Sequence, residues 1–249
     1  MQLSGAVVLV TGASSGIGAA LVRRLAEAGS HVVAAGRHPD RLARLAAETG
    51  ATTVLADLAR PGGGRDLAER ALARHARVDV LVNNAGIGWA GRFGEMTDAT
   101  ADELLTVNLR APIELTRALL PGLCRHGGHL VFVGSIAGRL GVGGEAVYAA
   151  SKAGLDTFAE SLRLELDGRG VTVSVVVPGV VETPFFTRRG QPYRRRRPRP
   201  LPADRVAAAL ATAISRNRAE VYVPGWLRLP VAVRGLLPAT YRRLATRFG

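Results

Sequence analysis

"AVVLVTGASSGIGAALVRRLAEAG", residues 6–29, reads as three elements in succession. Residues 6–11 are a short, almost unbroken aliphatic run, the mark of a strand buried on both faces. Gly12, Gly16 and Gly18 follow within seven positions, with Ser14, Ser15 and Ile17 between them. Glycine lacks a Cβ, so such a loop can turn tightly and let another backbone or a ligand come close. Residues 18–29 then take on helical spacing. A helix starting on this loop aims its unpaired N–H groups past the strand end, which makes a seat for a pyrophosphate. The stretch therefore predicts a strand, a phosphate-cradling loop and a helix.

Strand and helix go on alternating beyond it. Apolar, β-branched runs recur at residues 31–35, 52–56, 78–83, 129–135, 171–177 and 220–224, and helical patterns such as 101–123 lie between them. Near-continuous apolar strands joined by helical crossovers predict an α/β fold: a doubly wound parallel sheet of about seven strands with helices on both faces. A chain of 249 residues with 47% hydrophobic content can bury one such core, so a single domain is expected over residues 1–225. Ligands of these sheets sit beyond the carboxyl ends of the strands, and that is where chemistry is to be sought.

The second strand ends in "AAGRHPD", residues 34–40. A site for NAD(H) usually has an acid there to hold the ribose 2′-hydroxyl, whereas Gly36 and Arg37 leave room and positive charge for a 2′-phosphate. NADP(H) is thus expected in preference to NAD(H). Further along, "VYAASKAGL", residues 147–155, holds Lys152, the only lysine among 33 basic residues. Tyr148 lies four positions earlier, on the same face of a helix. A lysine is a compact, flexible point charge where an arginine is a wide planar fork, so this position suits a job a guanidinium cannot do.

With these residues in view, the chain resembles a short-chain dehydrogenase/reductase of the NADP-preferring type, along roughly residues 4–225. The glycine loop has that family's TGxxxGxG spacing. Asp57, followed by Leu58, matches the adenine-contacting position, and "NNAG" (Asn83, Asn84, Ala85, Gly86) matches the segment beside the cofactor. Asn108, Ser135, Tyr148 and Lys152 match the catalytic tetrad. "PGVVET", with Pro178, Gly179, Val181 and Thr183, matches the loop that grips the nicotinamide amide. The resemblance implies a Rossmann-like fold and hydride transfer between NADP(H) and a small-molecule carbonyl or secondary alcohol. Tyr148 would be the general acid/base, with its pKa drawn down by Lys152 together with the positive nicotinamide of the oxidised cofactor. Ser135 would hold the substrate oxygen, and Asn108 would fix a water leading from Lys152 to solvent. A homodimer or homotetramer is implied as well. The alternative from another class is a redox sensor that binds NADP(H) without catalysis and engages a membrane or an acidic partner through its basic tail. A complete Ser135, Tyr148 and Lys152 set argues against it.

The remaining features bound the partners. Residues 1–187 hold 18 basic and 18 acidic side chains, so the whole net charge of +13 falls within residues 188–249, 15 arginines against Asp204 and Glu220. That asymmetry, without interleaved aromatics, excludes a nucleic-acid platform spread over the fold. His31, His38, His75, His126 and His129 lack metal-ligand spacing, so no metal is expected, and the pair His126 and His129 reads as solvated. Cys124 is alone. The start carries no basic leader and no stretch reaches about 20 apolar residues, so a cytoplasmic protein is expected. Residues 188–205 read as a mobile basic lid, more readily solvated than an anion site. Residues 226–249 read as a basic amphipathic extension that either packs on the enzyme's own cleft or a neighbouring subunit, or lies peripherally in a membrane interface.

Overall fold

The structure is a computed structural model that describes residues 1–193 and 198–248, without the side chains of Leu244, Thr246, Arg247 and Phe248. Arg194 to Arg197 of the expected lid and Gly249 of the expected extension lie outside the described residues. The first half alternates β1 (Val7–Thr11), α1 (Gly16–Glu27), β2 (His31–Gly36), α2 (Pro39–Thr49), β3 (Thr52–Leu55), α3 (Gly63–His75) and β4 (Val80–Asn83). After α4 (Asp98–Leu105) and α5 (Ala111–His126) come β5 (His129–Val133), α6 (Ile136–Leu140), α7 (Ala146–Glu165) and β6 (Thr172–Pro178). The short β7 (Val181–Glu182) and β8 (Leu201–Pro202) bracket α8 (Phe185–Arg188). The chain ends with α9 (Ala203–Ser215), β9 (Glu220–Val223), α10 (Arg228–Leu236) and α11 (Pro238–Phe248).

Seven strands form one parallel sheet in the order β3-β2-β1-β4-β5-β6-β9. This is the doubly wound, Rossmann-like α/β architecture. Within β1, Val7 and Leu9 face one core and Val8 and Val10 the other, which is why the run could not alternate with polar residues. Leu67 of α3, Leu115 of α5 and Leu155 of α7 cover the first face. Leu21 of α1, Leu42 of α2 and Leu210 of α9 cover the second. Each fully buried leucine contributes about 1.5–3 kcal/mol against exposure. The chain runs outward from β1 through β2 to β3, then returns to β4 on the other side of β1. That reversal opens a crevice at the carboxyl ends of β1 and β4, where such folds take ligands.

His129 departs from expectation. It begins β5 and is wholly buried rather than solvated, while His126 is exposed. Ser174 donates to Arg218 O at 2.6 Å, so its oxygen is left to accept from His129 Nε2 at 2.7 Å. Burial drives the ring down to about 4, keeping it neutral at physiological pH. It is flanked by Val80 of β4 and Thr172 of β6, neighbours that its own stretch of sequence does not contain.

The segment after β9 lies on the body. Leu227 is buried and Val231 packs against the first core. Arg234 donates to Arg139 O, and the Tyr241 hydroxyl donates to Leu140 O at 3.0 Å. α10 and α11 are thereby held against the end of α6.

Candidate active site

The crevice is walled first by backbone. The Thr11 hydroxyl, at the end of β1, donates to Val82 O at 3.2 Å and accepts from Asn84 N at 3.0 Å and Ala85 N at 2.9 Å. Asn84 Nδ2 in turn donates to Thr11 O at 2.8 Å. The segment after β4 is therefore lashed to the glycine loop. Gly12 has φ +67° and a Cβ there would stand 2.8 Å from Ala85 Cα. A Cβ on Gly18 would overlap Gly12 O and stand 2.6 Å from Asn84 Nδ2. Ser15 caps α1 in an extended conformation without a side-chain hydrogen bond, so the first-turn N–H groups have no capping side chain. A cavity of about 1600 Å³ opens above this loop. All the residues expected at the site line it except Gly18, which lies buried in the loop's support, Asn83, which is buried at the end of β4, and Asn108.

Asn108 sits one shell back, in a π-helical turn over Thr106–Arg110 where Ala111 N donates to Thr106 O. π-turns inside α-helices often mark functional positions. The side chain is wholly buried. Its Oδ1 accepts from Ile87 N at 2.9 Å, while Nδ2 donates to Ile87 O at 2.9 Å and Ser151 Oγ at 3.1 Å. The side-chain amide is thus a clamp on the loop after β4, with its N–H groups already taken. A Cβ on Gly86 would lie 3.4 Å from both Asn108 Oδ1 and Lys152 Nζ, so a small residue there brings the two together.

Ser135, Tyr148 and Lys152 converge from two helices. Ser135 caps α6, its Oγ accepting from Ala137 N at 3.2 Å. α7 approaches closely because Gly138 has no Cβ: one would stand 2.8 Å from the backbone of Lys152 and Ala153. Tyr148 and Lys152 lie one turn apart on α7 and are both buried. Lys152 Nζ donates to Val133 O at 2.9 Å. Burial pushes the Tyr148 phenol up to about 12, against a lowering hydrogen bond with Ser135. In the chain by itself desolvation outweighs the neighbouring donors and the phenol stays protonated; the expected lowering draws on the nicotinamide charge as well as on Lys152. Burial pushes Lys152 down to about 8, with attraction from Asp156 opposing it.

Asp156 and Arg139 are site residues that sequence reading passed over. Arg139 lies one turn beyond Ser135 and Asp156 one turn beyond Lys152, and Arg139 Nε meets Asp156 Oδ2 at 2.6 Å. The pair joins the two helices behind the reacting groups. Arg139 also reaches Glu220 Oε1 at 2.8 Å and stands 5.9 Å over the Tyr222 ring. Asp156 Oδ1 has no hydrogen-bond partner among the described residues. Burial raises the Asp156 pKa against the Arg139 charge and hydrogen bond. The helical spacing of both residues was present in the sequence, but nothing there paired them.

At the end of β2, Arg37 faces Glu103 of α4 at a loose 3.9 Å. Burial and the charges of Arg41, Arg188 and Arg37 push His38 down, and burial with Arg41 and Arg37 does the same to Arg188. The expected cation Arg37 is thus one of a positive group, to which Arg188 is brought from α8, far along the chain. Asp57 Oδ1 accepts from Ala59 N at 3.1 Å at the cavity edge. Thr183 packs a methyl on Gly16, where a Cβ would stand 2.8 Å away.

The described part of the lid is less open than expected. Arg189 is buried, paired with Glu145 and set 4.6 Å over the Phe186 ring, not solvated. Phe185 lies 5.4 Å from Tyr148, ring centre to ring centre, and Phe186 lies 5.4 Å from both Phe185 and Tyr193. These rings make an apolar wall facing Tyr148. Among the described residues, no group of His, Cys, Asp and Glu has the arrangement of a metal site.

A family model described as "short chain dehydrogenase" matches residues 6–194. The chain is 34% identical over 221 residues to 3-oxoacyl-(acyl-carrier-protein) reductase FabG of Escherichia coli (strain K12), covering 86% of this chain and 90% of that protein. A short-chain dehydrogenase from Sphingobium yanoikuyae, solved in complex with NADPH, superposes with a TM-score of 0.82 at 31% identity, covering 98% of this chain and 96% of that one. A short-chain dehydrogenase/reductase from Burkholderia phymatum, solved in complex with NAD, superposes with a TM-score of 0.85 at 26% identity and 94% coverage of each chain. Taken with the parallel sheet and its glycine-loop crevice, these findings place the chain in the short-chain dehydrogenase/reductase family of oxidoreductases.

Proposed function

We propose that the protein is an NADP(H)-dependent oxidoreductase that interconverts a small-molecule carbonyl and its secondary alcohol, with Tyr148 as general acid/base. The observation that carries this reading is the meeting of a neutral phenol, its hydrogen-bonded serine and the chain's only lysine in one cavity above the glycine loop. The residues fit a dinucleotide. Gly12 and Gly16 let the loop pack directly on Ala85 and Thr183 at the cavity floor, the first turn of α1 offers N–H groups, and Arg37 with Arg41 and Arg188 supplies positive charge at the end of β2. When bound, the nicotinamide supplies or accepts the hydride. NADP(H) is favoured over NAD(H) because a 2′-phosphate suits that cationic group, where no acid stands at the end of β2.

In the reducing direction Ser135 holds the substrate oxygen through its hydroxyl, whose oxygen already accepts from Ala137 N. Tyr148, protonated at neutral pH, gives its proton to the developing alkoxide. Lys152, still largely protonated below about 8, faces the tyrosinate that remains and lowers its cost. In the oxidising direction the proton moves back to Tyr148. A non-catalytic sensor has no use for Ser135, Tyr148 and Lys152 together in one cavity. Exposed Leu105, Ile113 and Leu164, on α4, α5 and α7, support assembly as a homodimer or homotetramer.

The test is a screen of ketones and secondary alcohols against NADPH, NADP⁺, NADH and NAD⁺, read by absorbance of the reduced nicotinamide, with Lys152→Arg run in parallel. Turnover with the phosphorylated cofactors and its loss in Lys152→Arg are expected. A Lys152→Arg enzyme with the parent rate and pH profile would overturn the assigned role of the lysine.

A further inference from the structure

α10 has two faces, and among the described residues only one is covered. On the inner side Val231 packs on the core, with Leu227 buried just before the helix, and Arg234 reaches Arg139 O. On the outer side Leu229 and Leu236 stand two turns apart, 68% and 81% exposed, with Ala232 exposed between them. Leu237 follows at 57% and Trp226 precedes at 52%. A helical stripe of this kind left in water is the form an interaction face takes.

Charge decides between its occupants. Residues 221–249 contain five arginines and not one Asp or Glu. A second copy of the chain meeting this face across a twofold axis would set one positively charged segment against another. An anionic bilayer offers opposite charge and hydrocarbon in the same plane, which is what an amphipathic helix with leucines, a tryptophan and arginines matches. The location adds a functional argument. Trp226, Pro230 and Tyr241 line the cavity, and exposed Phe93 stands on its border as well, so the covered and uncovered faces of this segment meet at the cavity mouth.

We propose that the outer face of α10 docks the protein peripherally on an anionic lipid surface, with the cavity mouth beside it, so that the substrate is a lipophilic carbonyl or alcohol drawn from the bilayer. The choice of substrate rests on the oxidoreductase reading; the docking does not.

The experiment uses the full chain and a Leu229→Asp/Leu236→Asp variant, both substitutions lying at exposed positions. Each is sedimented with phosphatidylcholine vesicles, with and without phosphatidylglycerol. The parent chain is expected to sediment only with the anionic vesicles and to be released as salt rises, since screening shortens with ionic strength. The double variant is expected to bind about tenfold or more weakly, with melting temperature and turnover of a water-soluble ketone unchanged. Its turnover of a long-chain ketone dissolved in the vesicles should fall while the soluble rate holds. Failure of the parent chain to sediment, or equal sedimentation of the variant, overturns the docking. A variant that elutes as a smaller species shows the face to be a contact between copies, and overturns it too. Salt-sensitive sedimentation without turnover of any carbonyl overturns the oxidoreductase reading and leaves the docking intact, whereas equal turnover of the vesicle-borne ketone by both proteins overturns only the bilayer route.

Discussion

The wall between β1 and β4, down to the glycines behind the cavity, has no room for a single methyl group, whereas the α10 wall carries two leucines in water on its outer face, away from the cavity. The first wall is backbone against backbone: Gly12 against Ala85, Gly18 against Gly12, and the Thr11 hydroxyl tying three peptide groups together. The second is side chain against side chain, with Leu227, Val231 and Tyr241 docking a helix whose other face is free of such contacts. Contacts between main chains fix atoms tightly but tolerate no variation, while side-chain contacts can change one residue at a time. The fixed wall suits an invariant ligand and the adjustable wall suits the variable part of a substrate.

That contrast can be broken at several points. The largest effect is expected inside the fixed wall's chemistry: Tyr148→Phe removes the transferable proton and should lower turnover about 10²–10⁴-fold with folding intact, checked by steady-state rates beside a thermal melt. Next, Gly18→Ala should destabilise by about 1–3 kcal/mol or more, because its Cβ meets a carbonyl oxygen that cannot move without Asn84. Leu236→Ala on the exposed wall should stay within about 0.5 kcal/mol. Parallel denaturant titrations showing similar losses at both positions would erase the distinction between the walls.

Arg37→Ala should weaken NADPH binding by about 1–3 kcal/mol and leave NADH almost unchanged, measured by calorimetric titration of each cofactor. A loss shared equally by both would remove the 2′-phosphate from that end of β2. The smallest effect is a shift in pH. Lys152 must be charged to stabilise a tyrosinate, and burial already holds its pKa down to about 8, so the reduction rate should fall as pH rises through that value. Asp156 attracts the ammonium and opposes this lowering. Asp156→Asn removes the attraction, so the alkaline limb of the rate profile should move to lower pH, and Asp156→Glu should restore most of it. Arg139 keeps Glu220 as a partner in either variant, which protects the fold. An unmoved limb would mean that Asp156 only joins two helices.

The strands were readable because burial on both faces leaves an aliphatic signature that few other structures share, and the glycine loop because its spacing is set by one continuous stretch. Tyr148 and Lys152 share a helix face, so their pairing too could be read locally. What escaped depended on distant neighbours. His129 is buried by β4 and β6, Arg189 by Glu145, and Arg188 is brought to Arg37 across the cavity. Among so many arginines, those with a tertiary role carry no local sign of it. The direction of the Tyr148 shift was also hidden, because desolvation depends on what covers the phenol and not on its partner four residues away.

The π-turn at Thr106–Arg110 is, in effect, one residue more than α-helical spacing needs. Each residue of an α-helix advances the chain by about 100°, so removing one residue from this turn would rephase α4 relative to α5. Leu104, on the cavity side, and Leu115, against the sheet, are buried in different clusters, and the turn between them presents Asn108 to Ile87. The surplus residue works as a phase adjuster between two packing problems. A change of one residue at this turn would therefore be felt first at Asn108, and through its grip on Ile87 at the loop beside the cavity.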